Sequence, residues 1–150
     1  MRPTTLVRMT DRRLAAEAWE SLFRAQHEIF GEISADFEGA TLTNSEYDVL
    51  LTVVRSPGLQ ARLRNVTANL LISQPSVSRL VDRMVVDGLV EKLPDPDDGR
   101  GAIVRATPKA AAAFRKLATA HATTIAERMS VLSDEELAEL LALTRKLRDR

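Results

Sequence analysis

Ser76, Arg79 and Arg83 follow one another at intervals of three and four residues, and Arg100 stands in a later turn rich in aspartate. At about 100° per residue, that spacing puts the serine and both arginines on one side of a helix. Hydroxyls and guanidinium forks so arranged suit the edges of base pairs. An arginine bonds guanine O6 and N7 bidentately, and a serine bonds bases or phosphates. Gln74 and Ser76 fall in the first turn of the same stretch, where free backbone amides favour a phosphate. An arginine carried on a turn suits a narrow minor groove, whose negative potential attracts it. These residue types point to DNA recognition rather than catalysis.

Such residues need a scaffold. Val77, Leu80, Val81, Met84 and Val85 gather on the side opposite the arginines, so the segment 73–87 reads as an amphipathic helix. Ser73 is its expected N-cap, Pro75 is tolerated in its first turn, and Gly88 ends it. A short helix over 63–71, burying Leu63, Val66, Leu70 and Leu71, precedes it. Two short helices joined by a tight turn, the second polar outward, make a helix-turn-helix. Strands are expected at 89–93 and 102–106, joined as a hairpin by the turn 94–101. Arg100 then lies at the hairpin tip, with Asp98 placed to orient its guanidinium. Arg62, Arg64 and Lys92 are candidate phosphate contacts.

Around this unit the chain reads as helix. The segment 11–37 carries a wide apolar stripe that includes Leu14, Leu22, Ile29 and Ile33. It is wider than a surface helix needs, which implies a second partner surface. Thr43-Asn44-Ser45-Glu46 and Ser133-Asp134-Glu135-Glu136 are capping boxes. Thr107-Pro108 opens a helix running to about residue 131. The fold class is mainly α, in one domain of 150 residues.

Lys+Arg and Asp+Glu both number 21, so the net charge is +0. Any DNA-facing patch must come from arrangement, because total charge supplies none. Cysteine is absent, which excludes disulfides, thiolate metal sites and thiol redox sensing. The beginning of the chain lacks the apolar core of a signal peptide, and no apolar run is long enough to cross a bilayer. A soluble cytoplasmic protein is expected, with no membrane partner, metal or cofactor. Asp95, Asp97 and Asp98 do not make a calcium loop, since Arg100 stands where such a loop needs glycine and Ala106 where it needs glutamate. His27-Glu28 reads as a polar helix position rather than half a metal site. Trp19, Phe23, Phe30 and Tyr47 read as packing residues before ligand residues. Gly-x-Ser-x-Gly and phosphate-binding glycine loops are missing, so no enzyme is expected.

The run from Ser73 through Arg83, then Gly88-Leu89-Val90-Glu91-Lys92, Asp95-Pro96-Asp97-Asp98-Gly99-Arg100 and Thr107 resembles MarR-type winged helix-turn-helix regulators. Asp98 and Arg100 meet the Asp-x-Arg signature of the wing. The resemblance implies a homodimer with long N- and C-terminal dimerisation helices, about 11–38 and 107–150, and a winged lobe over about 43–106 with a two-stranded β-hairpin wing. Two such lobes would read a pseudo-palindromic operator in double-stranded DNA, with Ser78 joining the contact face. Many such proteins are repressors released by small, often aromatic, effectors. Val66-Thr67, Ala106 and Ala110 depart from the usual Leu-Ala, leucine and glycine, all at core or cap positions. The competing expectation is a winged-helix protein-interaction module without DNA binding, which the neutral charge favours.

Overall fold

The computed structural model describes residues 11–71 and 76–149. The expectations for Ser73, Gln74 and Pro75 fall outside these. The chain divides into two compact units, 1–35 and 36–150.

In the first unit, helix α1 spans Arg12–Ile33. Its N-cap is Asp11, whose carboxylate accepts from the amides of Arg13 and Leu14 at 2.9 and 3.3 Å. Arg13–Glu17 and Arg24–Glu20 pair along its surface one turn apart. None of its residues is buried. Trp19 and Phe23 are 65% and 55% exposed, and Phe30 is exposed too. The expectation that these three are packing residues is therefore not met among the described residues, which leave all three side chains exposed.

The second unit holds the core. A short 3₁₀ turn, Ser34–Phe37, crosses its boundary. Helix α2, Asn44–Arg55, starts at the expected capping box: Thr43 Oγ1 accepts from the Glu46 amide at 3.2 Å, and Glu46 returns a carboxylate to the Thr43 amide at 2.9 Å. Ser56-Pro57-Gly58 stops it, with Gly58 and Leu59 both left-handed at φ 69° and 55°. That reversal launches strand β1, Gln60–Arg62, and then helix α3, Leu63–Asn69. Helix α4 spans Val77–Val86, strands β2 and β3 span Val90–Asp95 and Asp98–Ala106, and helices α5 and α6 span Pro108–Met129 and Asp134–Arg148.

The sheet has three antiparallel strands in the order β1-β3-β2, one more than the expected hairpin. Strand β1 escapes periodicity because three residues are too few to show alternation. It is recognisable only by its partner, Ala61 facing Val104. The hairpin itself is longer than expected. Pairing continues past Leu93↔Ile103 to Asp95↔Asp98, with a register shift between Pro94 and Asp95. Pro96 and Asp97 therefore form the tip, and Arg100 sits on β3 rather than at the turn.

One apolar cluster ties these elements together. Val49, Leu50 and Val53 of α2, Val66 of α3, Leu80, Val81 and Met84 of α4, Val104 of β3 and Phe114 of α5 share it. The departures Val66, Ala106 and Ala110 are all buried, so they are core-filling choices. Gly88, at φ 73°, closes α4 by letting the Leu89 amide reach back to the Met84 carbonyl at 2.9 Å. Thr107 accepts from the Ala110 amide at 3.2 Å as N-cap of α5 and donates to the Gly88 carbonyl at 2.8 Å. One hydroxyl thus joins the end of α4 to the start of α5.

Helix α3 ends earlier than expected, and Leu71 is 79% exposed rather than buried. The cause is Asp48, a buried carboxylate of α2 that accepts from the Leu71 amide at 3.0 and 2.9 Å. It grips the backbone and leaves the Leu71 side chain outside. Helix α6 starts at the second capping box, Ser133 with Glu136. None of its residues is buried, and Leu141, Leu143 and Leu147 are exposed.

Leu50→Ala, at a fully buried site, is expected to cost about 2–5 kcal/mol in chemical denaturation. Gly88→Ala should cost about 1 kcal/mol in the same assay, since alanine is strained at positive φ. Asp48→Ala should speed hydrogen exchange at the Leu71 amide well beyond any change at core amides of α5, measured by NMR.

Candidate nucleic-acid interface

Helix α4 is the centre of the site. It begins at Val77, not at residue 73, because Ser76 is its N-cap. The Ser76 hydroxyl accepts from the Arg79 amide at 3.3 Å, and its own proton remains available to donate. Leu80, Val81 and Met84 are buried, whereas Ser78, Arg79 and Arg83 are exposed. Burying three such side chains stabilises this rotation by about 1.5–3 kcal/mol each. The guanidinium face is outward because the oily face is inward.

Six of the ten expected contact residues line one hollow between α3, α4 and the wing. They are Arg62, Arg64, Ser78, Lys92, Asp98 and Arg100, around a volume of about 590 Å³. Arg79 and Arg83 lie on the exposed face of α4 and do not line it. Gln74 falls outside the described residues.

The charges in this region are of two kinds. Arg62 is held by carboxylates: Nε meets Asp95 Oδ2 at 3.0 Å and Nη2 meets Asp97 Oδ2 at 2.6 Å. Lys92 Nζ meets Asp82 Oδ1 of α4 at 3.0 Å. Two of the three candidate phosphate cations are thus neutralised within the protein. Among the described residues, the guanidinium groups of Arg64, Arg79, Arg83 and Arg100 have no such partner. They are the open positive charge of this face.

Asp98 acts differently from expectation. Its Oδ1 accepts from the backbone amide of Arg100 at 3.0 Å, an Asx turn that shapes the strand. It orients Arg100 through the main chain, not by gripping the guanidinium. The two-residue separation brings the carboxylate onto the amide before the long side chain can fold back. Gly101 completes this fit, since a Cβ there would come within 3.2 Å of Asp98 Oδ2.

Five aspartates escaped sequence reasoning as structural agents: Asp48, Asp36, Asp82, Asp95 and Asp97. The first had a signal, a carboxylate directly beside the apolar run Val49-Leu50-Leu51. The others look like ordinary surface charge until the fold brings their partners near.

A second cluster joins α2 and α5. Tyr47 stacks on Phe114 with centroids 4.7 Å apart, and Phe37 meets Tyr47 edge-on at 5.2 Å. His121, buried, lies edge-on to both Phe37 and Tyr47, and its Nδ1 is 2.7 Å from Asp36 Oδ2. Thr124 donates to the other Asp36 oxygen at 2.9 Å. Burial pushes the Tyr47 phenol above its ordinary 10.0, opposed by the charge of Arg55. Tyr47 is a packing residue, as expected from its helical spacing. The burial of His121 was not foreseen. Among the described residues, no helix is long and apolar enough to cross a membrane.

A sequence profile of the MarR family matches residues 40–101, which include the hollow and α4. Solved structures share the fold over nearly the whole chain. AbsC, a MarR family transcriptional regulator from Streptomyces coelicolor, is 22% identical, with 95% of this chain and 98% of its own superposed at a TM-score of 0.76. Sco3205, a MarR family regulator from the same organism solved in complex with DNA, is 19% identical over 89% and 85% at 0.78. BpsR of Bordetella bronchiseptica, whose DNA binding is regulated by 6-hydroxynicotinic acid, is 23% identical over 87% and 92% at 0.74. No curated protein matches the chain in sequence. The MarR family profile thus spans α2 to the Asp98-Gly99-Arg100 stretch of the wing, and the likeness to the solved structures is one of fold.

Proposed function

We propose that this protein is a dimeric, sequence-specific DNA-binding transcriptional regulator, a repressor released by a small aromatic effector. The observation that carries the reading is the open guanidinium face: Arg79 and Arg83 on α4, beside Arg64 and Arg100 at the hollow. Helix α4 enters the major groove, where Arg79 reads guanine, and Arg100 reaches the minor groove from β3. Neutral net charge is no obstacle. Acidic side chains pair with Arg13 and Arg24 on α1, and with Arg62 and Lys92 on the lobe. On the reading face, Arg64, Arg79, Arg83 and Arg100 pair with no carboxylate among the described residues.

A second copy is the proposed cover for the apolar stripes of α1 and α6. Trp19 and Phe23 on one helix, with Leu141, Leu143 and Leu147 on the other, are more apolar surface than a monomer ordinarily leaves to water. Two-fold symmetry then sets two reading helices about one turn of DNA apart, roughly 10–10.5 bp. The effector class is supported by BpsR and its 6-hydroxynicotinic acid, and the DNA partner by Sco3205. The reading includes no catalytic step and places the protein in the cytoplasm with its operator.

Capture of fragmented genomic DNA at moderate salt, followed by sequencing, tests the proposal. Enrichment of one palindrome is expected; uniform recovery or none favours a protein-interaction module instead. On the enriched duplex, Arg79→Ala should weaken binding by about 1–3 kcal/mol and relax one base position. Arg64→Ala should weaken all sequences alike and lower the salt slope by about 1.

A further inference from the structure

Arg62 is the least free of the arginines around the hollow. Its side chain is 34% exposed, and both ends of its fork are engaged, Nε by Asp95 at 3.0 Å and Nη2 by Asp97 at 2.6 Å. The two carboxylates differ in kind. Asp95 is 3% exposed in its side chain and also accepts from the Asp97 amide at 3.0 Å. Asp97 is 75% exposed and stands at the tip of the wing. Arg62 itself ends β1 and is the N-cap residue of α3. One guanidinium therefore ties the first residue pair of the helix-turn-helix to the far end of the hairpin, across 35 residues of sequence.

The position of Asp95 explains why this tie matters. The register of the hairpin shifts between Pro94 and Asp95, and beyond that point only Asp95↔Asp98 pairs. A two-stranded ribbon past a bulge is weakly held by its own ladder. Arg100 lies on this outer part, its amide fixed by Asp98. What holds the outer ribbon against the lobe is the fork of Arg62. Two charged contacts from one planar fork, Nε to the buried Asp95 and Nη2 to the exposed Asp97, supply attraction from two directions.

We propose, resting on the DNA-binding reading above, that Arg62 is a positioning residue and not a phosphate contact. Through Asp95 and Asp97 it aims the wing so that Arg100 meets the minor groove. Lys92, paired with Asp82, braces the base of the same wing against α4. The wing is thereby set by ion pairs that are complete before DNA arrives.

The sign of a charge removal separates the two roles. Deleting a carboxylate beside DNA strengthens binding if electrostatics alone decides, and it would release Arg62 toward phosphate. If Asp95 holds the clamp, deleting it weakens binding. The probe is the duplex enriched by the wild-type full chain, titrated across a salt series. Asp95→Asn is expected to weaken binding about tenfold despite the lost negative charge, with the salt slope altered by less than about 1. Arg62→Met should behave alike, and Arg100→Ala should add less than about threefold to either variant, the non-additivity of residues that act as a unit. Asp97→Asn, at an exposed position that carries no folding risk, should weaken binding about two- to threefold. Amide exchange at Asp97 and Arg100 in the free protein should quicken in Asp95→Asn while core amides of α5 stay unchanged.

Tighter binding by Asp95→Asn overturns the proposal. So does an Arg62→Met variant that lowers the salt slope by about 1 and whose loss adds fully to that of Arg100→Ala, as a phosphate contact requires. Unchanged wing exchange in Asp95→Asn overturns the clamp itself, whatever the DNA result. A wild-type chain that enriches no duplex overturns the DNA-binding reading and this role with it, and the exchange data then show whether the clamp exists as structure alone.

Discussion

The structure depends on the burial of one side of α4. Leu80, Val81 and Met84 enter the same cluster as Val49, Leu50 and Val53 of α2 and Val104 of β3. Apolar burial is non-directional, so it does not by itself choose a contact surface. It chooses a rotation. Once three apolar side chains at helical spacing go inward, the arginines set between them must go outward. The ends of the helix are then secured by polar contacts: Ser76 caps its start, and Gly88 with Thr107 fastens its end to α5.

Electrostatics organises the surface that this rotation exposes. A chain with no net charge presents a basic face only if its acids are occupied elsewhere or its bases are sorted. Both happen here. Asp82, Asp95 and Asp97 each hold a cation of the lobe, and Asp98 holds a backbone amide. These carboxylates engage the lobe's own groups, while the guanidinium groups of Arg64, Arg79, Arg83 and Arg100 meet no carboxylate among the described residues. The pairs with exposed carboxylates, Asp97 with Arg62 and Asp82 with Lys92, add little to stability. Their effect is orientation, because a planar fork accepts only a few directions.

The second unit is also tied by polar contacts at two separate places along α5. Asp36 meets His121 and Thr124 of α5, the cap of α5 at Thr107 meets Gly88, and Gly88 ends α4. The rings of Phe37 and Tyr47 pack edge-on against His121, and Phe114 stacks on Tyr47. The helix that carries the arginines is therefore fastened to the same long helix that carries the buried histidine.

Much of this was legible in the residues alone. The period of Val77, Leu80, Val81 and Met84 determined α4 and its outward arginines, because helical geometry links spacing to face. Capping boxes at Thr43 and Ser133, the cap at Thr107 and the left-handed Gly88 were readable too, since each depends on neighbours a few residues away. What only the tertiary structure decided were matters of distance between segments. Strand β1 exists because β3 lies beside it, the wing extends to Asp95 because Asp98 pairs with it, and Arg62 is occupied because two aspartates arrive from 33 and 35 positions later. Local sequence specifies backbone preferences and faces; which charge meets which is settled only when burial has fixed the backbone, as an ion pair depends on separation in space and not along the chain.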